Sequence, residues 1–384
     1  MRSQQNRPFL TMDIYLDHNA TTPVCPEAVD AISAALMQSG NASSVHRYGR
    51  LVRRTIDDAR ESVARLVGTS AANVIFTSGG TEANNLALRG FGARALVSAV
   101  EHDSVLSARD DAAVISVDQN GVVDLDHLRS LLQGGESKPL VSVMFANNET
   151  GVLQPVSQVA ALAHKYDALV HCDAIQAAGK APLDLETLGV DMLTLSAHKI
   201  GGPQGVGALV VRAGLDPEPL LRGGGQERRR RAGTENVPGV AGFGAAAVVA
   251  SNALSSFGEI ARLRDAMERR VLDAVPDAVV HGGEVARLAN TSCIGLPDVT
   301  GEMQVMTLDL AGVAVSAGSA CSSGKVTPSH VLQAMGQDAD SAKCAIRVSL
   351  GSTTMPEEID RFVDVWTDMA RRRPTESEAR RSVA

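Results

Sequence analysis

The chain has 384 residues, of which 44% are hydrophobic and 21% charged, so we expect an ordinary globular protein of two domains. Its 36 basic and 44 acidic side chains give a net charge of −8, which argues against nucleic-acid or anionic-membrane binding, and we expect no apolar run near the roughly 18 residues of a membrane span. The five cysteines are scattered without C-x-x-C spacing, which predicts no metal site, no disulfide framework and a reducing, cytoplasmic location.

The first two-thirds of the chain alternates between helical and strand-like patterns. The N-terminal residues contain no apolar core, so we predict no secretory signal. A first helix begins at Pro26, and a second carries apolar residues from Leu51 to Val67 at helical spacing and stops at Gly68. The strand-like runs are short, apolar and rich in β-branched residues: Ala95–Val100, Leu140–Ala146, Ala168–Cys172, Met192–Leu195 and Ala208–Val211. This alternation predicts an α/β fold with a mostly parallel sheet.

The last third of the sequence has a different pattern. A helix from about Phe257 to Val275 follows a boundary near Ser251–Ser256, and a final helix places Ile359, Phe362 and Trp366 on one face. Shorter strands are predicted near Thr291–Gly295, Val313–Ser316 and Ile346–Ser349. We therefore expect a large domain over residues 18–255, and a smaller α+β domain formed by residues 1–17 and 256–384.

Polar residues follow four of the predicted strands at the point where each strand ends. They are His102, Asn147 and Asn148, Asp173 and Gln176, and the group Ser196, His198 and Lys199. Ligands bind at the carboxyl ends of the strands in open α/β sheets, so these residues predict one site built from four strands.

Two of these residues suggest the chemistry of a carbonyl cofactor. Lys199, at a strand end beside His198, can form an imine with a carbonyl group when it is neutral; the alternative is a solvated loop lysine. Asp173 can pair with a pyridinium nitrogen and keep a ring protonated, so that the ring accepts electrons; the alternative is a helix N-cap.

The turn Ser78-Gly79-Gly80-Thr81-Glu82 joins an apolar run to a helix and is a candidate phosphate site. Its glycines let the backbone approach a phosphate, and the helix N-terminus supplies N–H groups. It is neither a G-x-G-x-x-G fingerprint nor a P-loop, and a plain N-cap turn is the alternative. The run of four arginines at 228–231 is interpreted as a solvated face, because the chain is acidic and no aromatic residues are interleaved.

Cys321 and Arg347 stand out in the last third. Cys321 lies in a run of small polar residues, where we expect an exposed loop and a reactive thiol instead of a buried one. Arg347 lies inside an apolar strand and needs a partner. That partner is either a substrate carboxylate or an internal acidic residue.

Taken together, these motifs resemble the cysteine desulfurases of the nitrogen-fixation and iron–sulfur-cluster type. This family belongs to the fold-type I pyridoxal-phosphate enzymes, in the class V aminotransferase group, and the resemblance runs from about Tyr15 to Arg371. The matching segments are residues 15–17 and 20–23, the turn at 78–82, and residues 101–102, 147–151, 173 with 176, 196–199, 231–236, 318–321 and 347.

The resemblance implies roles around a pyridoxal 5′-phosphate cofactor. Lys199 would hold the cofactor covalently and move protons, Asp173 would pair with the pyridine nitrogen, and Gln176 would contact the ring hydroxyl. His102 would stack on the ring and take part in acid–base steps. The phosphate ligands would be Gly80, Thr81, Ser196 and His198, together with Thr234 of a second subunit, which implies a homodimer.

The resemblance also implies the reaction. Asn148 and Arg347 would hold the carboxylate region of L-cysteine, and Cys321 would take the sulfur as a persulfide, leaving alanine. The persulfide sulfur would pass to an acceptor protein such as an iron–sulfur scaffold. The chain departs from the family pattern at Asn41-Ala42, where Asn-Pro is usual. A selenocysteine lyase, an aminotransferase of the same fold, or an inactive scaffold protein remain alternatives.

Overall fold

A computed structural model describes residues 14–92, 94–134, 138–317 and 327–373. Its largest sheet has seven strands in the order β2-β8-β7-β6-β5-β3-β4. The strands from β3 to β7 pair in parallel, and β8 is antiparallel to both of its neighbours. The bounds are β2 Val74–Thr77, β3 Arg94–Ser98, β4 Ala113–Ile115, β5 Pro139–Ser142, β6 Leu169–Asp173, β7 Met192–Ser196 and β8 Gly207–Val211. The predicted α/β class with a mostly parallel sheet is confirmed.

Helices cover both faces of this sheet, because successive side chains of each strand point to opposite faces. Val74 and Phe76 of β2 join the hydrophobic cluster that also contains the helix residues Ile56 and Phe243, whereas Ile75 joins a second cluster with Leu86. The helices are α1 Pro26–Leu36, α2 Arg47–Leu66, α3 Gly80–Arg89, α4 Asp103–Leu106, α5 Leu125–Gln133, α6 Val156–His164, α7 Leu185–Leu188 and α8 Val237–Ala253.

A separate core is built from Leu16 and from residues after 259. Phe362 and Trp366 are fully buried in it, and Trp366 Nε1 donates to Gln304 Oε1 at 2.9 Å, which satisfies its single polar atom. The elements are β1 Ile14–Tyr15, α9 Phe257–Ala274, β9 Val279–Val280, β10 Thr291–Gly295, α10 Gly301–Leu310, β11 Val313–Ala314, β12 Ser316–Ala317, α11 His330–Ala334, β13 Ala345–Ser349 and α12 Pro356–Arg371. The exact domain bounds, 18–255 against the rest, stay a prediction.

Helix α8 corrects one expectation from the sequence. The helical stretch Val237–Ala274 is long and apolar enough to span a membrane by length and composition alone, contrary to the expectation that no run approaches this size. The structure gives a physical reason for its apolar character: α8 packs against α1 and α2, and Phe243, Ala246 and Ala247 are fully buried. A turn at Leu254–Ser256 separates it from α9.

Two other differences concern strands. Strand β5 ends at Ser142, earlier than the apolar run Leu140–Ala146 suggests. Beyond it, Val143 and Phe145 still donate to the backbone of β6, but the Met144 N–H donates to the Glu101 carboxyl at 2.6 Å. β4 was not predicted, because its three residues are too few to show a period and its central Val114 is half exposed.

Candidate active site

A cavity of about 340 Å³ lies at the carboxyl ends of β3, β5, β6 and β7, where the sequence predicts a site. The predicted residues that line it are Gly80, Thr81, His102, Asn148, Asp173, Gln176, Ser196, His198, Lys199 and Arg347. Thr234 is exposed and does not line it, and Cys321 lies outside the described residues. The structure therefore brings together predicted residues from six separate parts of the chain.

Lys199 enters the cavity from the turn after β7. Its Nζ donates to the carbonyl oxygens of Asn19 at 2.6 Å and Ala20 at 2.8 Å. Both acceptors are neutral backbone groups, so these contacts orient the amine without forming an ion pair. An amine held in this way is placed for covalent attachment to a carbonyl group.

Asn19 was missed by the sequence analysis, although its backbone and side chain together form a hydrogen-bonded network at the site. It is fully buried and makes seven hydrogen bonds. Its backbone oxygen accepts from Lys199 and Gln176, and its backbone N–H donates to Ser349 Oγ. Its side-chain Nδ2 donates to Asn148 O and Thr291 Oγ1, and its Oδ1 accepts from Lys180 Nζ and Asn290 Nδ2. Its position between the segments 15–17 and 20–23, which match the family pattern, was the signal that could have found it.

Asp173 is the last residue of β6 and is almost fully buried. Its Oδ1 accepts the N–H of Ile175 at 2.9 Å, and its Oδ2 accepts Asn84 Nδ2 at 2.8 Å. The segment that follows is a series of turns and not a helix, so Asp173 is not the N-cap that the sequence offered as an alternative. Burial raises the pKa of Asp173, while these two donors and the nearby His102 and Lys199 oppose the rise. Among the described residues no cation forms a salt bridge with it, so a cationic ring nitrogen would complete the site.

Gln176 follows Asp173 and is oriented by a lysine that the sequence analysis did not single out. Lys180 Nζ donates to Gln176 Oε1 at 2.9 Å, and Gln176 Nε2 in turn donates to Asn19 O at 3.0 Å. The amide therefore presents its nitrogen as a donor, as contact with a ring hydroxyl requires. Burial and the charges of Lys199 and Arg347 lower the pKa of Lys180 to about 7.

The N-terminus of α3 forms the candidate phosphate end of the cavity. Gly79 has a φ of +158°, a backbone conformation that residues with a side chain rarely adopt. A Cβ on Gly80 would lie 2.2 Å from Ile175 Cδ1 and would force that side chain, which also lines the cavity, to move. Ser196 and His198 lie on the facing loop. Burial, with Lys199 and Lys180, lowers the pKa of His198 to about 4, so at neutral pH it is a neutral hydrogen-bonding group.

Arg347 satisfies both of the readings left open by the sequence. Its Nη2 pairs with Asp17 Oδ1 at 2.8 Å and its Nη1 donates to Asn148 O at 3.2 Å, so it has an internal acidic partner. It also lines the cavity, and its buried Nε has no hydrogen-bond partner among the described residues. A guanidinium with a donor still unsatisfied suits an incoming carboxylate.

Other lining residues were not predicted by the sequence. His330 comes from α11, and its Nε2 donates to Glu101 O at 2.9 Å. Neighbouring Ser329 donates to Glu149 Oε2 at 2.6 Å, which attaches this part of the chain to the loop after β5. Neither residue follows a strand of the large sheet, so the strand-end rule had no means of finding them.

The arginine run is less exposed to solvent than the sequence suggested. Arg231 pairs with Glu82 at 2.9 Å, Arg230 is buried and donates to Ala72 O, and the preceding Glu227 forms a bidentate pair with buried Arg60. The prediction of a solvated face is wrong for these positions, because the run packs against α2 and α3. Thr234 then lies in an exposed position just beyond it.

The cavity fits a pyridoxal-phosphate group in its chemistry. A buried carboxylate without a salt bridge, an amine oriented by carbonyl oxygens, and a glycine-lined helix N-terminus correspond to the ring nitrogen, the aldehyde carbon and the phosphate of that cofactor.

Comparison with known proteins agrees with this arrangement. Residues 14–362 match the family model described as aminotransferase class-V. A cysteine desulfurase of Cereibacter sphaeroides is 45% identical over 368 residues, which cover 92% of this chain and 94% of the relative. The structure of a NifS-like protein from Rickettsia africae has a TM-score of 0.87 at 36% identity and covers 93% of this chain and 99% of its own. The structure of SspA in complex with cysteine has a TM-score of 0.75 at 26% identity, and covers 89% and 100%.

The fold is therefore that of a class V aminotransferase, and the chain belongs to that family. Within it, the identity and coverage place the chain among the cysteine desulfurases. The resemblance noted in the sequence is confirmed at both levels.

Proposed function

We propose that this protein uses pyridoxal 5′-phosphate to remove the sulfur atom from L-cysteine, giving L-alanine and a persulfide on Cys321. The observation that supports this best is the convergence of Lys199, Asp173 and the α3 N-terminus on one cavity that also contains Arg347, in a chain of the cysteine desulfurase family. Bound at Lys199, the cofactor supplies an electron sink for the substrate carbon atoms.

Residues of the chain bind the cofactor, bind the substrate and transfer protons. Asp173 stabilises positive charge at the ring nitrogen, Gln176 donates toward the ring hydroxyl, and Gly80, Thr81, Ser196 and His198 hold the phosphate. Arg347 binds the carboxylate of cysteine beside Asn148. His102 and Lys199 are the groups that can move protons at the cavity.

The sulfur step is a displacement by Cys321. Its thiolate forms a bond to the substrate sulfur, and the carbon–sulfur bond breaks with its electron pair remaining on the organic fragment. A proton then replaces sulfur on that carbon, and alanine leaves. The persulfide is passed to an acceptor protein of sulfur-cofactor or iron–sulfur-cluster biosynthesis, in the cytoplasm.

A direct assay tests the reaction. The holoprotein is incubated with L-cysteine, and alanine and sulfide are measured with and without a reductant. We expect equal alanine and sulfide only when the reductant releases the sulfur. Alanine formed from a 2-oxo acid with an amino donor would support an aminotransferase, and turnover of selenocysteine but not cysteine would support a lyase.

Arg347→Ala is expected to weaken cysteine binding by about 1.5–3 kcal/mol, the contribution of a hydrogen bond to a charged group. Cofactor content should stay near that of the wild type, and KM for cysteine should rise about tenfold or more. Asp17→Asn is the matched control, because it removes the same internal ion pair and leaves the guanidinium. Equal losses in both variants would show that Arg347 acts only through Asp17.

The homodimer is also part of the proposal. Seven exposed large hydrophobic side chains lie between residues 24 and 51: Val24, Val29, Leu36, Met37, Val45, Tyr48 and Leu51. An apolar surface of this kind is typical of a subunit interface. Arg53 of α2 pairs with Glu235 at 3.1 Å, so Thr234 lies near this surface, which supports its proposed role in the site of a second subunit.

Mixing two inactive variants tests whether the site is shared. If Thr234 completes the partner's phosphate site, a mixed dimer of Thr234→Ala and Lys199→Ala chains has one intact site and one with both defects. Random mixing should then restore about one quarter of the wild-type sites. The control is each variant mixed with itself. A mixture without regained activity, in which native mass spectrometry shows mixed dimers, would contradict the shared site.

A further inference from the structure

Asp173 and His102, the two residues assigned to the cofactor ring, are joined by a line of hydrogen bonds. Asn84 Nδ2 donates to Asp173 Oδ2 at 2.8 Å and to Ser104 Oγ, also at 2.8 Å. Ser104 Oγ lies 2.9 Å from His102 Nδ1, and the Ser104 N–H donates to the same nitrogen at 3.1 Å. Asn84 is fully buried and Ser104 is 8% exposed, so water does not compete for these contacts.

The direction of each hydrogen bond follows from the chemistry of the groups. A backbone N–H can only donate, so His102 Nδ1 is an acceptor and a neutral His102 carries its proton on Nε2. A carboxylate can only accept, so the Asn84 atom facing Asp173 is the amide nitrogen. Ser104 Oγ accepts from that nitrogen and therefore has its own proton available for His102 Nδ1.

The unsatisfied oxygen of Asn84 is a second reason to assign these hydrogen bonds a role other than stabilising the fold. Both of its N–H groups are used, but its buried Oδ1 has no hydrogen-bond partner among the described residues. An unsatisfied buried carbonyl oxygen destabilises the fold. The amide is thus suited to donating to Asp173 and Ser104 at once, and not to filling a structural gap.

We propose that Asn84 and Ser104 are positioning residues that set the charge of Asp173 and the tautomer of His102 together. Asn84 stabilises the ionised carboxylate of Asp173, and Ser104 holds His102 with Nδ1 unprotonated, so that the only N–H donor of the neutral ring is at Nε2. This inference deepens the proposed function and rests on it for the assignment of Asp173 and His102 to the cofactor.

The tautomer can be read without turnover. The holoprotein is labelled with ¹⁵N-histidine, and the His102 ring signals are assigned by their loss in His102→Gln. We expect a downfield, unprotonated Nδ1 and a protonated Nε2. A ring with its proton on Nδ1 in the wild type would overturn the proposal. This result is independent of whether cysteine is turned over, so it is distinguishable from failure of the proposed function.

Variants test the side chains separately. Ser104→Ala removes the hydroxyl but keeps the backbone N–H that fixes the tautomer. The His102 Nδ1 signal should therefore move downfield, because this nitrogen loses one of its two donors, and kcat should fall about fivefold, the equivalent of one neutral hydrogen bond, with KM for cysteine little changed. Ser104→Thr, which keeps a hydroxyl, should restore both the His102 ring signals and kcat. Wild-type ring signals and kcat in Ser104→Ala would show that the hydroxyl has no positioning role.

Asn84→Leu is expected to lower kcat about ten- to hundredfold and to change the pH dependence of the cofactor absorbance, because Asp173 loses a donor to its charged form. Asn85→Leu is the matched control on the same helix, because within the described part of the chain the Asn85 side chain donates to the carbonyl oxygens of Thr81 and Ser104 and not to Asp173. Equal absorbance profiles in the two variants would contradict the role of Asn84. If Asn84→Leu does not fold, the ring signals of the wild type and of Ser104→Ala decide the question.

Discussion

Cys321→Ser is expected to bind the cofactor and cysteine as the wild type does, and to form no persulfide. A serine hydroxyl does not attack sulfur at neutral pH because its pKa is far above that of a thiol. Alanine release should fall by several orders of magnitude. In the wild type, mass spectrometry after brief exposure to cysteine should show one extra sulfur on the peptide that contains Cys321.

The other four cysteines provide the controls for that experiment. Burial raises the pKa of Cys25 and Cys344, which are partly buried, and raises it further for the fully buried Cys172 and Cys293. A thiol with a raised pKa has little thiolate at neutral pH and reacts slowly. Cys344→Ser should therefore keep wild-type alanine release. If Cys321→Ser released alanine as fast as the wild type, the protein would be a lyase or an aminotransferase.

Lys199→Ala is expected to lose the visible absorbance of the covalently bound cofactor and to lower turnover by about 10²–10⁴-fold, the contribution of a positioned proton-transfer group. Reduction with borohydride followed by peptide mass spectrometry should locate the cofactor on Lys199 in the wild type. Lys180 is the informative comparison, since its amine also bonds to Asn19. Lys180→Met should retain the covalent link at Lys199, and a cofactor found on Lys180 instead would refute the assignment.

The sequence predicted those parts of the site that follow strands. His102, Asn148, Asp173 and Lys199 could be found because strands buried on both faces are apolar runs, and polar residues at their ends are conspicuous. The same reasoning could not find His330, which comes from a short helix far along the chain. It also left Arg347 with two possible partners, because which carboxylate approaches a buried guanidinium is a property of the folded chain.

The spacing of apolar residues predicted a helix where the helix has one polar face, and it failed where the helix has no polar face. The pattern around Leu51–Val67 predicted α2, and Gly68, with its φ of +61°, ends it as expected. Helix α8 is apolar on nearly all sides and rich in Ala and Gly, so it shows no period. Its burial against α1 and α2 is a property of the tertiary structure, which the spacing of residues in the sequence does not show.

The seven hydrogen bonds of Asn19 limit which fragments and chimaeras of this enzyme can form the cofactor site. Lys199 Nζ donates to the carbonyl oxygens of residues 19 and 20, while Asn19 is itself held by Asn290, Thr291 and Ser349, which belong to the later part of the chain. A fragment that ends near residue 255 would contain Lys199, Asp173 and the glycine turn, yet it would lack these three supports. Minimised versions of the protein, or chimaeras that exchange the C-terminal third, must therefore rebuild the contacts of Asn19 before the cofactor site can form.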